Sequence, residues 1–444
     1  MPDISSYNAI AVGNIASING QDISSGGGAY NPVTDSGTYT ETVPTSGLLK
    51  MGGVRCFDPP TNTSTDNSEN IPKFAYGSQP VVNLSSDKDG RYVRVAESKS
   101  DFVQISYGRY GGFGITASGQ LWEQGSSASY ISGSVVSGFT QVTGVGDSDT
   151  GWTKISSSSG GALAINSGKL YHIGQNTYGN AGTGDQTASY GSFSQVGSDS
   201  DWVDVERGGF HSMAVKGTNK VLYTTGRNAN YRTGLGTASG NTTSWTQVDD
   251  TNFTNTNVSY IHINSDGCLF IRENGEAYGF GDDDTNERFG TNTSSDIQIP
   301  TQLGKVGGSY QTDWVTGAMA SNTTYLINTS GKLYFAGEGN ARRGDGSSTD
   351  AKDGEYVQIG SYTDWVRVTT DDSGQNNQDY NHVGQRGNRL YYWGSNQYSG
   401  ILNNTLTSYT TAVDIMGQDL DTGNLWALFP NQGSPTKMML VARY

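Results

Sequence analysis

Basic side chains are scarce in this chain. It holds 27 lysines and arginines against 42 aspartates and glutamates, a net charge of −15, and they form no basic face of the kind that phosphate backbones require. No nucleic-acid partner is therefore expected. No apolar run approaches the ~20 residues that cross a bilayer, which argues against membrane insertion. The first residues, MPDISSYNAIAVGN, lack the basic region and hydrophobic stretch of a signal peptide. Cys56 and Cys268 are the only cysteines; two thiols make neither a disulfide framework nor a zinc site, and they read as unpaired. The four histidines, His172, His211, His262 and His382, show no metal-ligand spacing, and no G-x-S-x-G or phosphate-binding loop occurs. Each histidine reads as structural, and neither catalytic residues nor a cofactor are expected. Hydrophobic residues are 33% of the chain and charged ones only 16%, so the low hydrophobicity does not come from high charge. Long helices are excluded by the lack of sustained 3.6-residue apolar periodicity.

What the chain does have is glycine and tyrosine, 62 and 26 of them, with 8 tryptophans and only 10 prolines. Glycine and asparagine supply the positive φ angles of tight turns, which suits many short strands. The segments GKLYHIG, KVLYTTG, GEAYGFG, GKLYFAG and NRLYYWG end at Gly174, Gly226, Gly281, Gly337 and Gly394, with GQLWEQG at Gly125 a weaker copy. An Asn- and Gly-rich loop follows most of them. A short strand follows the loop (FSQV, WTQV, PTQL, YVQI), and for these four copies the distance from the glycine to its last residue is 22. An anchor comes next: Phe102, Trp152, Trp202, Val258, Trp314, Trp365 and Trp426, spaced 50 to 61 residues apart. The last interval is long, as if an insert lay near DSGQNNQD. An apolar strand such as ALAIN or SMAVK follows most anchors. Four strands in a period of ~50 residues describe one blade of a β-propeller. The anchors then read as structural, large rings filling the wedge between sheets, with sugar stacking as the alternative. The aspartate before several of them suits a turn closed by its side chain.

The chain ends 18 residues after Trp426, where a further KLY strand would begin. IPKFAYG, ending at Gly77, resembles that missing strand, and YVRVAESKSDF at 92–102 parallels YVQIGSYTDW. The expected fold class is therefore all-β: a seven-bladed β-propeller over 71–444, closed by strands from both termini. Its last blade would combine 71–95 with 426–444, which removes open sheet edges. An extended arm over 1–70, poor in apolar residues, would precede it.

The recurring anchor tryptophan, the G-K-L-Y-x-x-G-x-N segment and the G-x-G loop resemble the regulator-of-chromosome-condensation repeat, whose members form seven-bladed propellers. The kelch propeller is the competitor, through glycine pairs such as Gly160-Gly161 and Gly208-Gly209, but it does not lead one to expect the Asn-rich loop after the LY strand. The best-known activity of the resembled family is nucleotide exchange on a small GTPase at chromatin. This acidic chain lacks a basic tail and shows nothing that maps onto an exchange surface, and fold alone does not carry function.

The stretch IASINGQDIS at 15–24 resembles short segments of minor structural proteins of tailed bacteriophages, marine ones especially. That resemblance implies a non-enzymatic virion protein, made in the host cytoplasm and displayed on the particle surface as a capsid decoration or tail appendage. Its arm would dock other virion proteins through Ile10, Val12, Ile15, Ile18 and Ile23, spaced as a strand added to a partner's sheet requires. Its propeller loops would meet a host-surface glycan or protein. The alternatives are a cellular or secreted propeller serving as a protein-interaction scaffold or inhibitor, and a carbohydrate-binding or carbohydrate-active propeller. DDDTNE at 282–287 and DKDG at 87–90 are oxygen-rich but lack a complete calcium-loop spacing, and read as solvated acidic loops.

Overall fold

The computed structural model describes residues 102–394 apart from short interruptions, the longest at 126–135 and 371–380, together with Tyr409–Asp414 and the backbone of a few strands nearer the termini. Six four-stranded antiparallel sheets succeed one another along this span, each a meander in chain order. Sheet 1 comprises Phe102–Tyr107, Gly111–Thr116, Leu121–Gly125 and Val136–Gln141. Sheet 2 comprises Trp152–Ser158, Gly161–Asn166, Lys169–Gln175 and Ser189–Gln195. Sheets 3, 4, 5 and 6 begin at Trp202, Val258, Trp314 and Trp365 and close with Asn241–Gln247, Ile297–Gln302, Val357–Gln358 and Tyr409–Asp414. Among the described residues the only helical segment is a single 3₁₀ turn, Ala229–Tyr231.

A further four-stranded sheet draws on both ends of the chain, in the order Leu425–Leu428, Leu440–Arg443, Leu48–Met51, Arg94–Ala96. Leu49 pairs with Ala442 on one side and with Ala96 on the other. The N-terminal strand that meets the C-terminal one is thus Leu48–Met51, within the stretch expected to be an arm, whereas residues 71–77 lie outside the described residues. LLKM offers every N–H, as an interior strand that pairs on both sides requires. The segment DSGQNNQD also lies outside the described residues.

Glycine ends the third strand for a steric reason. Gly174 and Gly226 have φ of 96° and 110°, and a Cβ on Gly226 would sit 2.5 Å from the Cα of His211. The chain leaves the sheet there in a conformation that side chains rarely adopt.

The anchors are buried: Trp152, Trp202, Val258, Trp314 and Trp365 are between 2% and 5% exposed. Each tryptophan meets the tyrosine of its own LY strand at 5.1–5.7 Å between ring centroids, Trp152 with Tyr171, Trp202 with Tyr223, Trp314 with Tyr334 and Trp365 with Tyr391. These edge-on pairs add attraction beyond the area they bury. In sheet 4 the smaller Val258 leaves room that Phe253 occupies, 5.1 Å from both Phe270 and Tyr278. Phe102 opens the first strand of sheet 1 and Trp426 lies in Leu425–Leu428.

The first strands of consecutive sheets adjoin one another, and side chains join them to the next backbone. Gln104 bonds both the N–H and the carbonyl of Ile155, at 3.2 and 3.0 Å. The N–H of Ser157 donates to Ser106 Oγ, that of Arg207 to Ser156 Oγ and that of Ile263 to a Glu206 carboxylate oxygen. Tyr260 donates to the Gly317 carbonyl and Thr370 to that of Met319. A row of inner strands is thereby tied from sheet 1 to sheet 6.

Candidate interaction surfaces

The meander gives each sheet two functional edges. One, here the loop edge, carries the turns between first and second strands and the Asn-rich loops between third and fourth. The other, the link edge, carries the turns between second and third strands and the links that run to the next anchor.

At the loop edge the long loops of sheets 2, 3 and 5 reach across to the neighbouring sheet. The N–H of Gly184 donates to Thr243 O, that of Gly236 to Gln298 O and that of Gly346 to Thr410 O. Each acceptor lies in the fourth strand of the next sheet, so an otherwise open outer edge is covered. In sheets 2, 3 and 4 the residue two beyond the strand-ending glycine shapes the loop. Asn176 accepts from the Ala181 N–H at 2.8 Å and donates to Thr183 Oγ1 and Asp185 Oδ1. Asn228 donates to Thr237 O at 2.7 Å and accepts from the Thr233 hydroxyl. In sheet 4 the same place holds Asp283, whose carboxyl accepts from the Phe289 N–H and the Thr291 hydroxyl. Asp283 is fully buried. Burial raises its pKa to about 7, against the smaller opposing effects of those bonds and of Arg288. A protonated aspartic acid has nearly the shape of asparagine and, like it, a donating group beside an accepting oxygen.

Beneath these loops lie buried cations. Arg207 donates to Ser158 Oγ, to Gln175 O at 2.6 Å and to His172 Nδ1, and desolvation lowers its pKa to about 9. Because His172 Nδ1 accepts, its proton sits on Nε2 and points to Gly174 O, 3.1 Å away. Arg232 pairs with Asp266 at 2.9 Å and with Asp282 at 3.4 Å, and Arg288 lies 3.6 Å from both carboxylates. Asp282 therefore answers arginines rather than solvent, and residues 284–286 lie outside the described residues. Among the described residues no three His, Cys, Asp or Glu side chains group as metal ligands. All four histidines are buried and held neutral by desolvation, His211 and His382 down to about 3 and His262 to about 4. Burial likewise pushes the Cys268 thiol upward. The chemistry-bearing side chains at this edge hold loops and sheets together.

The link edge is different. Each first strand has a one-residue bulge just after its anchor, and a bulge re-aims its side chain. The bulged residues are Val103, Thr153, Val203, Ser259, Val315 and Val366, and all are exposed. Sequence patterning hid this feature, since a strand that alternates strictly would give the residue after the anchor no special role.

Of the residues expected to form an assembly arm, Ile18 lies in the two-residue strand Ser17–Ile18. That strand pairs antiparallel with Gln21–Asp22 of the same chain, so its partner strand is internal. Ile10, Val12, Ile15 and Ile23 lie outside the described residues, as does Cys56.

No family model matches the sequence. No curated protein matches it either. Solved structures do. Human WBSCR16 aligns with a TM-score of 0.66 at 16% identity, over 90% of this chain and 99% of that one. Yeast RCC1 (Prp20), crystallised with Kap60 bound, aligns at 0.64 and 10% identity, over 89% and 88%. Prp20p from Saccharomyces cerevisiae, described together with its binding to Gsp1p and histones, aligns at 0.62 and 11% identity, over 89% and 91%. The chain thus shares the fold of RCC1-like β-propellers. Nothing in these likenesses points to a virion protein.

Proposed function

We propose that the chain closes into a seven-bladed propeller that works as a rigid, non-enzymatic protein-interaction scaffold. The sheet built from both chain ends supports closure, because it supplies the seventh four-stranded unit and lies against sheet 6. The observation that carries the scaffold reading is the distribution of chemistry. Among the described residues, histidines, Cys268, Arg207 and Asp283 are turned inward, while the exposed ends of the blades present valine, tyrosine and aspartate. The RCC1-like neighbours lend support, since Prp20 is seen bound to Kap60 and is described as binding Gsp1p and histones. Affinity capture with the intact chain as bait, followed by reconstitution from purified components, tests the reading. A stoichiometric complex with a captured protein is the expected result. Turnover of a glycan by the purified chain, abolished by one side-chain substitution, would overturn it.

A further inference from the structure

One charge at the loop edge is left open. Where sheet 2 meets sheet 3 this edge is built from 156–161, 175–188, 206–211 and 227–240, which hold three arginines, one aspartate and one glutamate in a chain of net charge −15. Four of these five groups are engaged. Arg232 pairs with Asp266 and Asp282 of sheet 4, and Arg207 is buried and donates to Ser158, His172 and Gln175. Asp185 accepts from Asn176, Thr183 and Tyr190, and Glu206 from the Ile263 N–H. Arg227 remains. It is half-buried, and among the described residues its guanidinium has neither a hydrogen bond nor an ion pair. It lies 5.5 Å from the ring centroid of Tyr178 and 5.4 Å from that of Phe210, and these two rings meet edge-on at 5.4 Å.

The repeat supplies its own comparison. The residue after the strand-ending glycine is Arg227 in sheet 3, Asp282 in sheet 4 and Glu338 in sheet 5. Asp282 is met by Arg232 and Arg288, and Glu338 by Arg342 at 2.8 Å. In sheets 4 and 5 the charge at this place is therefore answered within the chain, whereas in sheet 3 the neighbouring loop brings a tyrosine. That loop is fixed on sheet 3. The hydroxyls of Ser212 and Thr225 donate to the carbonyls of Asn180 and Gly179 at 2.7 and 2.9 Å, and the Arg227 N–H donates to Phe210 O at 2.9 Å. The rings and the guanidinium are thus assembled in the free chain, which lowers the ordering cost of a contact made there. Aromatic residues and arginine are the types in which interface energy concentrates.

We infer that Tyr178, Phe210 and Arg227 form an anchor point for an acidic side chain of a partner protein, a glutamate or aspartate flanked by apolar residues. The guanidinium takes the carboxylate as a two-pronged fork, and the rings receive the apolar flanks. The charge balance selects a carboxylate. One open cation answers one negative charge, and a phosphate dianion calls for a second, which the buried and engaged Arg207 does not offer. The acidity of the rest of the molecule repels strongly anionic partners, so the segment carries its carboxylate among neutral or basic residues. This rests on the scaffold reading and deepens it by naming the face and the partner chemistry.

Saturation-transfer NMR with the intact protein and four peptides blocked at both ends tests the inference: Gly-Leu-Glu-Leu-Gly, its glutamine and phosphoserine counterparts, and Gly-Gly-Glu-Gly-Gly. The first should bind with a Kd on the order of a millimolar, roughly tenfold tighter than the glutamine and glycine-flanked peptides, and the phosphoserine peptide should bind no tighter than the first. Arg227→Lys keeps the charge and loses the fork, and it should weaken the first peptide several-fold; Arg227→Gln should weaken it at least as much. Both should keep unfolding midpoints near that of the parent. Val315→Ser, at the link edge, should leave binding unchanged. No binding of the first peptide by about 10 mM, equal binding of its glutamine counterpart, indifference to both Arg227 variants, or a phosphoserine peptide roughly tenfold tighter would each overturn the inference. Repeating the substitutions against the captured partner separates the two claims. A partner bound at stoichiometry but indifferent to both Arg227 variants defeats this inference and leaves the scaffold reading standing. Failure to capture any protein that reconstitutes would defeat the scaffold reading itself.

Discussion

Replacing Asp283 with asparagine should stabilise the protein, and by an amount that depends on pH. The buried carboxyl titrates near 7 in the folded chain, against a reference value of 3.8. A carboxyl whose folded value is raised contributes stability that is fully present below the unfolded value and lost as pH rises through the folded one. Between pH 4 and 7 the native state holds a proton that the unfolded chain has released, so stability falls by about 1.4 kcal/mol per pH unit. The total loss above pH 7 is about 4 kcal/mol. Asparagine cannot ionise and, with its amide oxygen in the place of Oδ1, keeps the acceptor that the Phe289 N–H uses, while its amide nitrogen in the place of Oδ2 donates to the Thr291 hydroxyl. Asn176 and Asn228 show that the loop accepts it. The groups that face Asp283 include Arg288, Glu287 and Tyr356, and they are common to both proteins, so they largely cancel in the comparison. Urea unfolding at pH 4.5 and 7.5 measures the difference. The variant should lead by about 1 kcal/mol at the lower pH and by about 3 kcal/mol more at the higher. An advantage equal at both pH values, or a variant less stable at pH 7.5, would refute a protonated Asp283.

Trp152→Ala should cost ~3–5 kcal/mol. Trp152→Phe should cost no more than ~2 kcal/mol, because the buried Nε1 of this tryptophan has no hydrogen-bond partner to lose; equal costs in chemical denaturation would contradict the packing described. Gly226→Ala, at φ 110° with backbone 2.5 Å from the new Cβ, should cost ~3 kcal/mol or more. Gly144→Ala, at φ 69° with nothing within 4 Å, should cost ~1 kcal/mol. Similar melting shifts for the two would show that contact with the second strand is not what demands glycine. His382 stays neutral when folded, with a value near 3 against 6.5, so its contribution is present above pH 6.5 and lost as pH falls. His382→Gln should therefore flatten the decline in unfolding midpoint between pH 6.5 and 4.5, and an unchanged slope would contradict it.

The repeating parts of this fold were legible because each has a local steric cause. The LY tyrosine exists to meet the anchor ring, and the glycine after it takes a backbone angle closed to other residues, so both recur in sequence wherever the blade recurs. The aspartate at 283 was visible only as acidity, because its burial depends on how its own loop folds back over it, with Phe289 and Thr291 bonding its carboxyl. Leu48–Met51 escaped notice because a four-residue strand carries little pattern, and its pairing with Leu440–Arg443 spans nearly the whole chain. The exposed position after each anchor was hidden by the bulge, which breaks the period-two alternation on which strand reading depends. The virion reading leaned on a resemblance that the solved structures do not support.

A rigid scaffold needs a closed ring, and in the proposed ring closure comes through the pairing of Leu48–Met51 with Leu440–Arg443. Leu49 and Ala442 face each other across that pair, within the Cα separation that a disulfide spans. Leu49→Cys with Ala442→Cys, in a chain whose Cys56 and Cys268 are replaced by serine, should cross-link under mild oxidation. The non-reduced protein should run as a single compact species, with a raised unfolding midpoint that reductant reverses. The opposite pattern would contradict the closure described: no cross-link in that double variant, and efficient cross-linking when Ala442→Cys is combined with Phe74→Cys instead.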